Sequence, residues 1–216
     1  DVYKRQQMTL YPDGSIDGKN ESFLTGTMEI NYRLARFAET TEPMEKTVND
    51  ILYRFNEIGS GNIDHTAPKS IDKPFTWQST FKLDSITDLR KTGAFIPPVG
   101  VSPGHIAAMT IYKPLETRAF PYVCDSNTTE EKYTIELPDH IVIESLPENV
   151  DLQSDHIRYT SAYQLAGKTL EITRKLIFQY PSRKCAPEMY PELLEAIRTI
   201  RADHRASVVF SAKNTN

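Results

Sequence analysis

The stretch 157–180, IRYTSAYQLAGKTLEITRKLIFQY, decides the fold. It has two arms in which apolar and polar residues alternate, the pattern of strands with one buried face. One face of the first arm carries Ile157, Tyr159, Ser161, Tyr163 and Leu165. One face of the second arm carries Leu170, Ile172, Leu176, Phe178 and Tyr180, with Arg174 as its single interruption. The short turn Ala166-Gly167-Lys168 lies between the arms, so the stretch predicts a β-hairpin.

Other alternating segments predict further strands around this hairpin. They are a strand through Met8 and Leu10, the segment 15–27 with Phe23, Thr25 and Thr27 on one face, the segment 75–83, and the segments 132–137 and 141–146. A short strand is also expected at 106–111 and another at 208–210. Trp77, the only tryptophan, alternates with Phe75 and Phe81 and is expected in the core.

Helical spacing appears in three places. Ile30, Leu34 and Phe37 predict a short helix, and the apolar stripe in 42–58 predicts a second one that packs on the sheet. The third helix is predicted at 187–205, with an apolar stripe that contains Tyr190, Leu193, Leu194, Ile197 and Ile200. Its acidic start and basic end suit the helix dipole.

Together these elements predict an α+β fold that is mainly antiparallel, with β-sandwich-like sheets and two or three covering helices. The Pro- and Gly-rich segment near 96–104 is the expected boundary between two parts. The first part, 7–95, is predicted to be β-rich with one or two helices. The second part, 96–212, is predicted to be a β-sandwich-like domain closed by the helix at 187–205.

Residues 1–6, DVYKRQ, have no relation to the pattern that follows. The string resembles an adapter-derived tail of proteins translated from short-read metagenomic assemblies, and it is set aside as extraneous. The expectation is that the natural N-terminal portion is missing, in which case the absence of a signal peptide is uninformative.

Composition describes an ordinary globular protein: 216 residues, 39% hydrophobic and 25% charged. The formal net charge of −4 argues against a nucleic-acid partner, which normally requires a strongly basic surface. No apolar run approaches the roughly 20 residues that cross a bilayer, so no membrane span is predicted.

The two cysteines, Cys124 and Cys185, are too few for a disulfide scaffold. They are either bridged, in an oxidising compartment, or two buried inert thiols, and their sequence separation does not decide between these alternatives. Arg183 and Lys184 precede Cys185 and would lower a thiol pKa, but no motif places a base beside it. A nucleophilic role for Cys185 is therefore the weaker interpretation.

The remaining chemistry is sparse. The five histidines are His65, His105, His140, His156 and His204. No pair has metal-ligand spacing, so neither a metal nor a cofactor is predicted. Asp155-His156 is read as a solvated loop pair rather than half of a catalytic dyad. The cluster Arg198, Arg201, His204 and Arg205 is read as a helix end rather than a phosphate site, and the sequons at Asn20 and Asn127 are short enough to arise by chance.

The run 132–150, KYTIELPDHIVIESLPENV, has a strand, Leu-Pro, strand, Leu-Pro pattern. With the stretches 159–163, 170–177 and 190–198, it resembles the C-terminal region of bacterial transglutaminase-like proteins, in which β-rich domains flank a papain-like core. The segment 10–18, LYPDGSIDG, resembles the part just after that core. The family's catalytic Cys, His and Asp belong to the core, so no catalytic residue carries over to this sequence.

The resemblance implies a non-catalytic accessory portion of a periplasmic or secreted bacterial protein, whose partner would be the missing core of the same chain. No enzyme activity is therefore expected of this chain. The alternative is an extracellular module that binds a glycan or a peptide. An exposed aromatic platform at Trp77 or Tyr163 would favour a glycan, whereas a cleft that joins Cys185 to a histidine would favour an enzyme.

Overall fold

The computed structural model describes residues 1–38, 43–102 and 104–213, and the following elements lie in that part of the chain. The strands are β1 (Val2–Leu10), β2 (Ile16–Leu24), β3 (Gly59–His65), β4 (Phe75–Leu83), β5 (Gly93–Phe95), β6 (Tyr122–Val123), β7 (Asn127–Glu136), β8 (Ile141–Ser145), β9 (Val150–Gln153), β10 (Ile157–Ala166), β11 (Thr169–Phe178), β12 (Lys184–Cys185) and β13 (Val208–Ala212). The helices are α1 (Gly26–Ala38), α2 (Met44–Tyr53), α3 (His105–Ile111) and α4 (Tyr190–His204). A 3₁₀ turn, Pro187–Met189, leads into α4.

Eight strands form one large sheet in the order β3-β4-β2-β1-β7-β11-β10-β9. Every neighbouring pair is antiparallel except β1 and β7, which run parallel. The predicted hairpin is β10–β11, paired from Ile157 opposite Phe178 to Ala166 opposite Thr169. Gly167 supplies the positive φ of its turn. The predicted α+β, mainly antiparallel fold class is confirmed.

The parallel pairing of β1 with β7 joins the two predicted parts of the chain in one sheet. Of residues 1–6, which sequence analysis set aside, residues 2–6 form the first half of β1. Val2, Lys4 and Gln6 are all buried on the same face. Two of these three inward residues are polar, and for this reason the alternation is hidden in the sequence.

One face of the large sheet is covered and holds the core. Its apolar side chains form two clusters. The first includes Trp77 and Leu10 of the large sheet, Leu52 of α2 and Phe210 of the three-stranded sheet β5-β13-β8. The second includes Tyr159 and Leu176 of the large sheet and Ile200 of α4. Exposed side chains alternate with buried ones along β1, β4 and β10, so the opposite face is open to solvent.

The structure corrects the type of one predicted element and the boundaries of two others. The segment expected as a short strand at 106–111 is helix α3, because its two adjacent alanines favour a helix and its first turn lies against the carboxylate of Glu131. Strand β2 ends at Leu24, and Thr27 belongs to α1. Helix α2 spans Met44–Tyr53 rather than 42–58, and residue 42 lies outside the described residues.

The predicted helix after Pro187 is confirmed as α4, with Tyr190, Leu194, Ile197 and Ile200 buried. Over the described residues, none of the helices combines the length and hydropathy that crossing a bilayer requires.

Candidate functional site

A row of polar side chains crosses the covered face of the large sheet. Its members lie opposite one another on five adjacent strands, from β2 to β10, and none is more than 5% exposed. In order they are Ser22, Lys4, Glu131, Arg174 and Ser161. Burying charged groups is costly unless they are paired, so the partners of this polar row decide what it does.

Asp203 of α4 is the main partner. Its carboxylate accepts hydrogen bonds from Arg174 Nε (2.7 Å), Tyr159 Oη (2.6 Å), Ser161 Oγ (2.7 Å) and Tyr163 Oη (3.0 Å). Burial alone would raise the pKa of Asp203, but the charge of Arg174 and these hydrogen bonds lower it. Burial raises the pKa of Tyr163 to about 12, so its phenol stays protonated and donates. The cluster fastens α4 to the sheet.

The other half of the polar row holds α3. Lys4 Nζ donates to Tyr133 Oη (2.9 Å), which donates to Glu131 Oε2 (2.6 Å). Glu131 Oε1 accepts from the backbone N–H of Ile106 (3.3 Å) in the first turn of α3. Burial lowers the pKa of Lys4 to about 8, although Glu131 opposes the shift.

His204 lies beside this polar network. Burial lowers its pKa well below the usual histidine value, and the nearby charge of Arg174 adds to the effect. Its Nε2 atom is buried and has no hydrogen-bond partner among the described residues. His204 also lines a groove of about 840 Å³, in which the carboxylate of Glu57 accepts hydrogen bonds from the N–H groups of Val99 (2.6 Å) and Gly100 (2.8 Å).

Cys124 and Cys185 form a disulfide, with a Cα–Cα distance of 5.9 Å, and both are buried. Of the two alternatives that the sequence left open, the structure has the bridge. A disulfide sulfur is not a free thiolate, so Cys185 has no nucleophilic role in this structure.

The Asp155-His156 pair is not a dyad either, because His156 turns to another carboxylate. Its Nδ1 lies 3.1 Å from Glu192 Oε1, and its backbone N–H donates to Glu192 Oε2 at 3.2 Å. Its ring stacks on Tyr180 with the centroids 5.9 Å apart. The contact joins the start of β10 to the first turn of α4.

The other histidines and the basic cluster are dispersed. His65 makes stacked ring contacts with Phe75 and with Trp77, whereas His105 lies at the start of α3 and His140 before β8. Within residues 1–38, 43–102 and 104–213, no group of three or more His, Cys, Asp or Glu side chains could hold a metal ion.

The cations at the end of α4 also point to separate partners. Arg198 pairs with Glu116 (3.0 Å), and Arg201 donates to the carbonyl oxygens of Thr110 and Tyr112. They do not converge on one phosphate-sized position.

The two aromatic residues considered for glycan binding are buried: Trp77 is 1% exposed and Tyr163 is 5% exposed. Neither forms a surface platform. Of the two sequons, Asn20 is buried at 4% exposure and therefore inaccessible to a glycan-transferring enzyme.

A cavity of about 540 Å³ lies where the first turn of α1, helices α3 and α4, and strand β6 meet. We call it the β6 cavity. Its walls include Met28, His105, Met109, Tyr122, Phe178 and Ile197. Two buried polar atoms in its lining residues, Tyr122 Oη and Asn127 Oδ1, have no hydrogen-bond partner among the described residues.

Helix α1 has an unusual orientation. Met28 and Tyr32 pack on the sheet, against Val2, Leu24 and Phe75. Arg33 is buried and donates to Glu29 and to the carbonyl oxygens of Ala67 and Lys73. The apolar residues Ile30, Leu34 and Phe37 face outward, at 58%, 64% and 53% exposure. We call these three residues the outer face of α1.

Comparison with known proteins adds a family. The model of a domain of unknown function with a solved structure, DUF3858, matches residues 96–210, which is more than half of the chain. The chain belongs to this family. The DUF3858 match covers α3, β6 to β12, α4 and most of β13. No curated protein matches the sequence.

One solved structure resembles the chain, a crystal structure described as "a putative protease" from Parabacteroides distasonis ATCC 8503. The sequences are 15% identical, and the superposition has a TM-score of 0.46. It covers 56% of this chain and 23% of the other, so the aligned part is about a quarter of that protein.

Sequence reasoning found Arg174 as an interruption but missed Asp203. The sequence contains a feature at each of these two residues that indicates a buried ion pair. A lone arginine on an otherwise apolar strand face needs a buried partner. An aspartate in the last turn of a helix opposes the helix dipole, which indicates a compensating cation nearby.

Proposed function

We propose that this chain is a non-catalytic accessory domain that packs beside the catalytic core of a larger protein. The observation that carries the proposal is the outer face of α1. Helices that cover a sheet normally turn their apolar stripe inward, and α1 presents Ile30 and Leu34 to solvent instead. Such a face is typical of a surface that another protein covers.

The inward side of α1 shows why the helix does not simply turn over. Arg33 is held by Glu29 at 2.7 Å and by backbone carbonyl groups in the loop before β4. Arg36 lies over the ring of Trp77, 5.2 Å from its centroid. Rotating the helix to bury Leu34 would break these contacts and expose Tyr32. The outward orientation is therefore fixed by the fold.

The chemistry of the interior supports a non-catalytic role. Arg174 and Asp203 are buried and bonded to each other, and this pair holds α4. Glu131 is buried and accepts the N–H of Ile106, which holds α3. The two sulfur atoms are joined to each other. These groups stabilise the fold rather than face a substrate.

The partner in this proposal is a transglutaminase-like core of the same protein. It is supported by the resemblance of 10–18 to the segment that follows such a core and of 132–150 to the region beyond it. A core with an apolar patch would bury Ile30 and Leu34, and each side chain would contribute about 1.5–3 kcal/mol when fully covered.

The test begins with the source DNA upstream of the first codon. If the reading frame continues into a Cys, His and Asp core, that core and this chain are expressed separately and their affinity is measured by calorimetry. Leu34→Lys is expected to weaken binding at least tenfold, because it places a charge in the buried patch. The control is Val142→Lys on β8, a residue 43% exposed and outside α1.

Two results would contradict the proposal. One is an intact core that does not bind the chain. The other is equal loss of affinity in Leu34→Lys and Val142→Lys, which would place the interface elsewhere.

A further inference from the structure

We infer that the β6 cavity binds one uncharged aromatic residue of an extended peptide, whose backbone pairs with the free edge of β6. The inference concerns a different surface from the outer face of α1 and does not rest on a neighbouring core. It can be tested on the chain alone.

The edge of β6 is free on one side. Among the described strands, β6 pairs with β12 alone, with Tyr122 opposite Cys185 and Val123 opposite Lys184. The N–H of Cys124 donates to the carbonyl oxygen of Arg183 at 3.1 Å, so residue 124 turns its backbone groups toward β12. In an antiparallel ladder the next residue turns the other way. The N–H and C=O of Val123 therefore face away from β12, and its side chain is 76% exposed.

An edge of this kind accepts an extended peptide as an additional strand. Val123 also lines the β6 cavity. A peptide paired with Val123 thus runs along the mouth of the cavity and can place a side chain inside it. The backbone supplies affinity, and the cavity supplies selectivity for one side chain.

The cavity fits an aromatic ring. Its volume of about 540 Å³ falls in the range of ordinary ligand pockets. Phe178, Met109 and Ile197 line it with apolar surface. The ring of His105 meets Phe178 edge to face, with the centroids 6.4 Å apart. Aromatic edges, thioethers and aliphatic groups of this kind are good neighbours for a further ring.

Two polar atoms in these walls lack a partner. Tyr122 is 8% exposed and its hydroxyl is buried, and Asn127 Oδ1 is buried as well. Both residues line the cavity, and neither atom has a partner among the described residues. Leaving a hydroxyl and an amide oxygen unpaired is unfavourable. The O–H of a phenol or the N–H of an indole could donate to Asn127 Oδ1, which favours tyrosine or tryptophan over phenylalanine.

The charged groups around the cavity already have partners, which favours an uncharged side chain in the ligand. Asp125 pairs with Arg183 at 2.7 Å. The ammonium group of Asp1 donates to the carbonyl oxygen of Thr25 (2.9 Å), and its carboxylate accepts the N–H of Thr128 (2.8 Å). Burial lowers the pKa of His105, which keeps the imidazole neutral at pH 7. The apolar lining and the two unpaired polar atoms match a single aromatic residue better than a sugar, which carries several hydroxyl groups per ring.

The experiment compares two short peptides on the full chain by heteronuclear NMR. Acetyl-Thr-Tyr-Thr-amide is expected to shift the amide signals of Tyr122, Val123 and Asn127. Acetyl-Thr-Ala-Thr-amide is expected to bind at least tenfold more weakly, because it leaves the cavity empty. No shift of these signals with the tyrosine peptide, or equal affinities for the two peptides, would overturn the inference.

Two variants separate the backbone and side-chain parts. Val123→Pro removes an N–H that no described strand uses and is expected to abolish binding of the tyrosine peptide while leaving the melting temperature nearly unchanged. Tyr122→Phe is expected to weaken binding about tenfold. The control, Tyr53→Phe on α2, removes the hydroxyl group of a side chain that is 81% exposed and should leave binding of the tyrosine peptide unchanged.

If Val123→Pro does not fold, backbone pairing is tested by modifying the peptide instead. A series of tyrosine peptides is N-methylated at one backbone nitrogen each, and the peptide that loses the N–H facing β6 is expected to bind more weakly. Unchanged affinity for all of them would overturn the inference. Tighter binding of a chitin trisaccharide than of the tyrosine peptide at the same signals would also overturn it, in favour of a glycan site.

Discussion

Helices α1 and α4 lie on the same face of the large sheet but use it in opposite ways. Helix α4 buries its apolar residues Leu194, Ile197 and Ile200 and gives its one inward carboxylate, Asp203, to Arg174. Helix α1 turns Arg33 inward and leaves Ile30 and Leu34 in solvent. The same sheet thus carries one helix that completes the core and one that does not.

The difference separates the part of the molecule that stabilises the fold, beneath α4, from the part that is available for binding, the outer face of α1. Charges that are buried under α4 have partners at hydrogen-bond distance, so they rigidify the fold. The apolar residues on the outer face of α1 have no comparable cover within the described chain. We expect substitutions beneath α4 to change folding and substitutions on the outer face of α1 to change association.

The largest effect is expected from Asp203→Asn. The amide keeps the shape but removes the charge that compensates Arg174, so the free energy of unfolding should fall by about 3–5 kcal/mol. Urea denaturation measures it. Glu116→Gln breaks the exposed pair with Arg198 and serves as the control, with a change within about 0.5 kcal/mol. A loss below 1 kcal/mol in Asp203→Asn would mean that the polar row does not fasten α4.

The direct comparison between the helices is Ile197→Ala against Leu34→Ala. Ile197 is 0% exposed, so its truncation should cost about 2–5 kcal/mol in urea denaturation. Leu34 is 64% exposed, so its truncation should change stability by no more than about 0.5 kcal/mol. Similar losses in the two variants would show that the outer face of α1 is covered, for example by a second copy of the chain.

Acidification should lower the free energy of unfolding. Burial lowers the pKa values of His204 and His105 below the unfolded value of about 6.5. Between pH 7 and pH 5 the unfolded chain therefore binds protons that the native state does not, and stability falls as the pH falls. His204→Phe should reduce the proton uptake on unfolding, by up to one proton as the pH approaches 5. An unchanged slope of unfolding free energy against pH would contradict this.

The smallest effect is expected at Tyr122, whose ring meets Tyr190 of α4 edge to face at 5.7 Å. Tyr122→Phe removes a buried hydroxyl that lacks a partner among the described residues, so stability should rise by roughly 1 kcal/mol. The contrasting variant is Tyr159→Phe, whose hydroxyl donates to Asp203 and whose loss should be destabilising. A loss of stability in Tyr122→Phe would mean that its hydroxyl is bonded in solution.

The sequence predicts the hairpin and α4 well because each has a strict period and one clear apolar face. It fails at α3, since six residues with apolar side chains at both periods fit a strand as well as a helix. Periodicity does not predict a strand in residues 1–6 either, because Lys4 and Gln6 occupy inward positions that periodicity assigns to apolar residues.

The polar network and the outer face of α1 depend on contacts between distant parts of the chain, which the periodicity of the sequence does not predict. Arg174 and Asp203 are separated by 29 residues, and only the packing of α4 on β11 brings them to 2.7 Å. The spacing of Ile30, Leu34 and Phe37 predicts α1 correctly, but it does not show that this apolar stripe faces solvent rather than the sheet. A helical period shows that one face differs from the other, and the neighbours decide which face is inward.

The disulfide between Cys124 and Cys185 has a consequence for cleavage of the chain. The two cysteines are 61 residues apart and enclose β7 to β11 in a covalent ring. The tip of the β10–β11 hairpin at Gly167 is exposed and lies inside that ring. A protease that cuts there leaves the two pieces joined by the disulfide. On a denaturing gel the nicked chain therefore runs as one species, and it separates into two fragments only after a reductant is added.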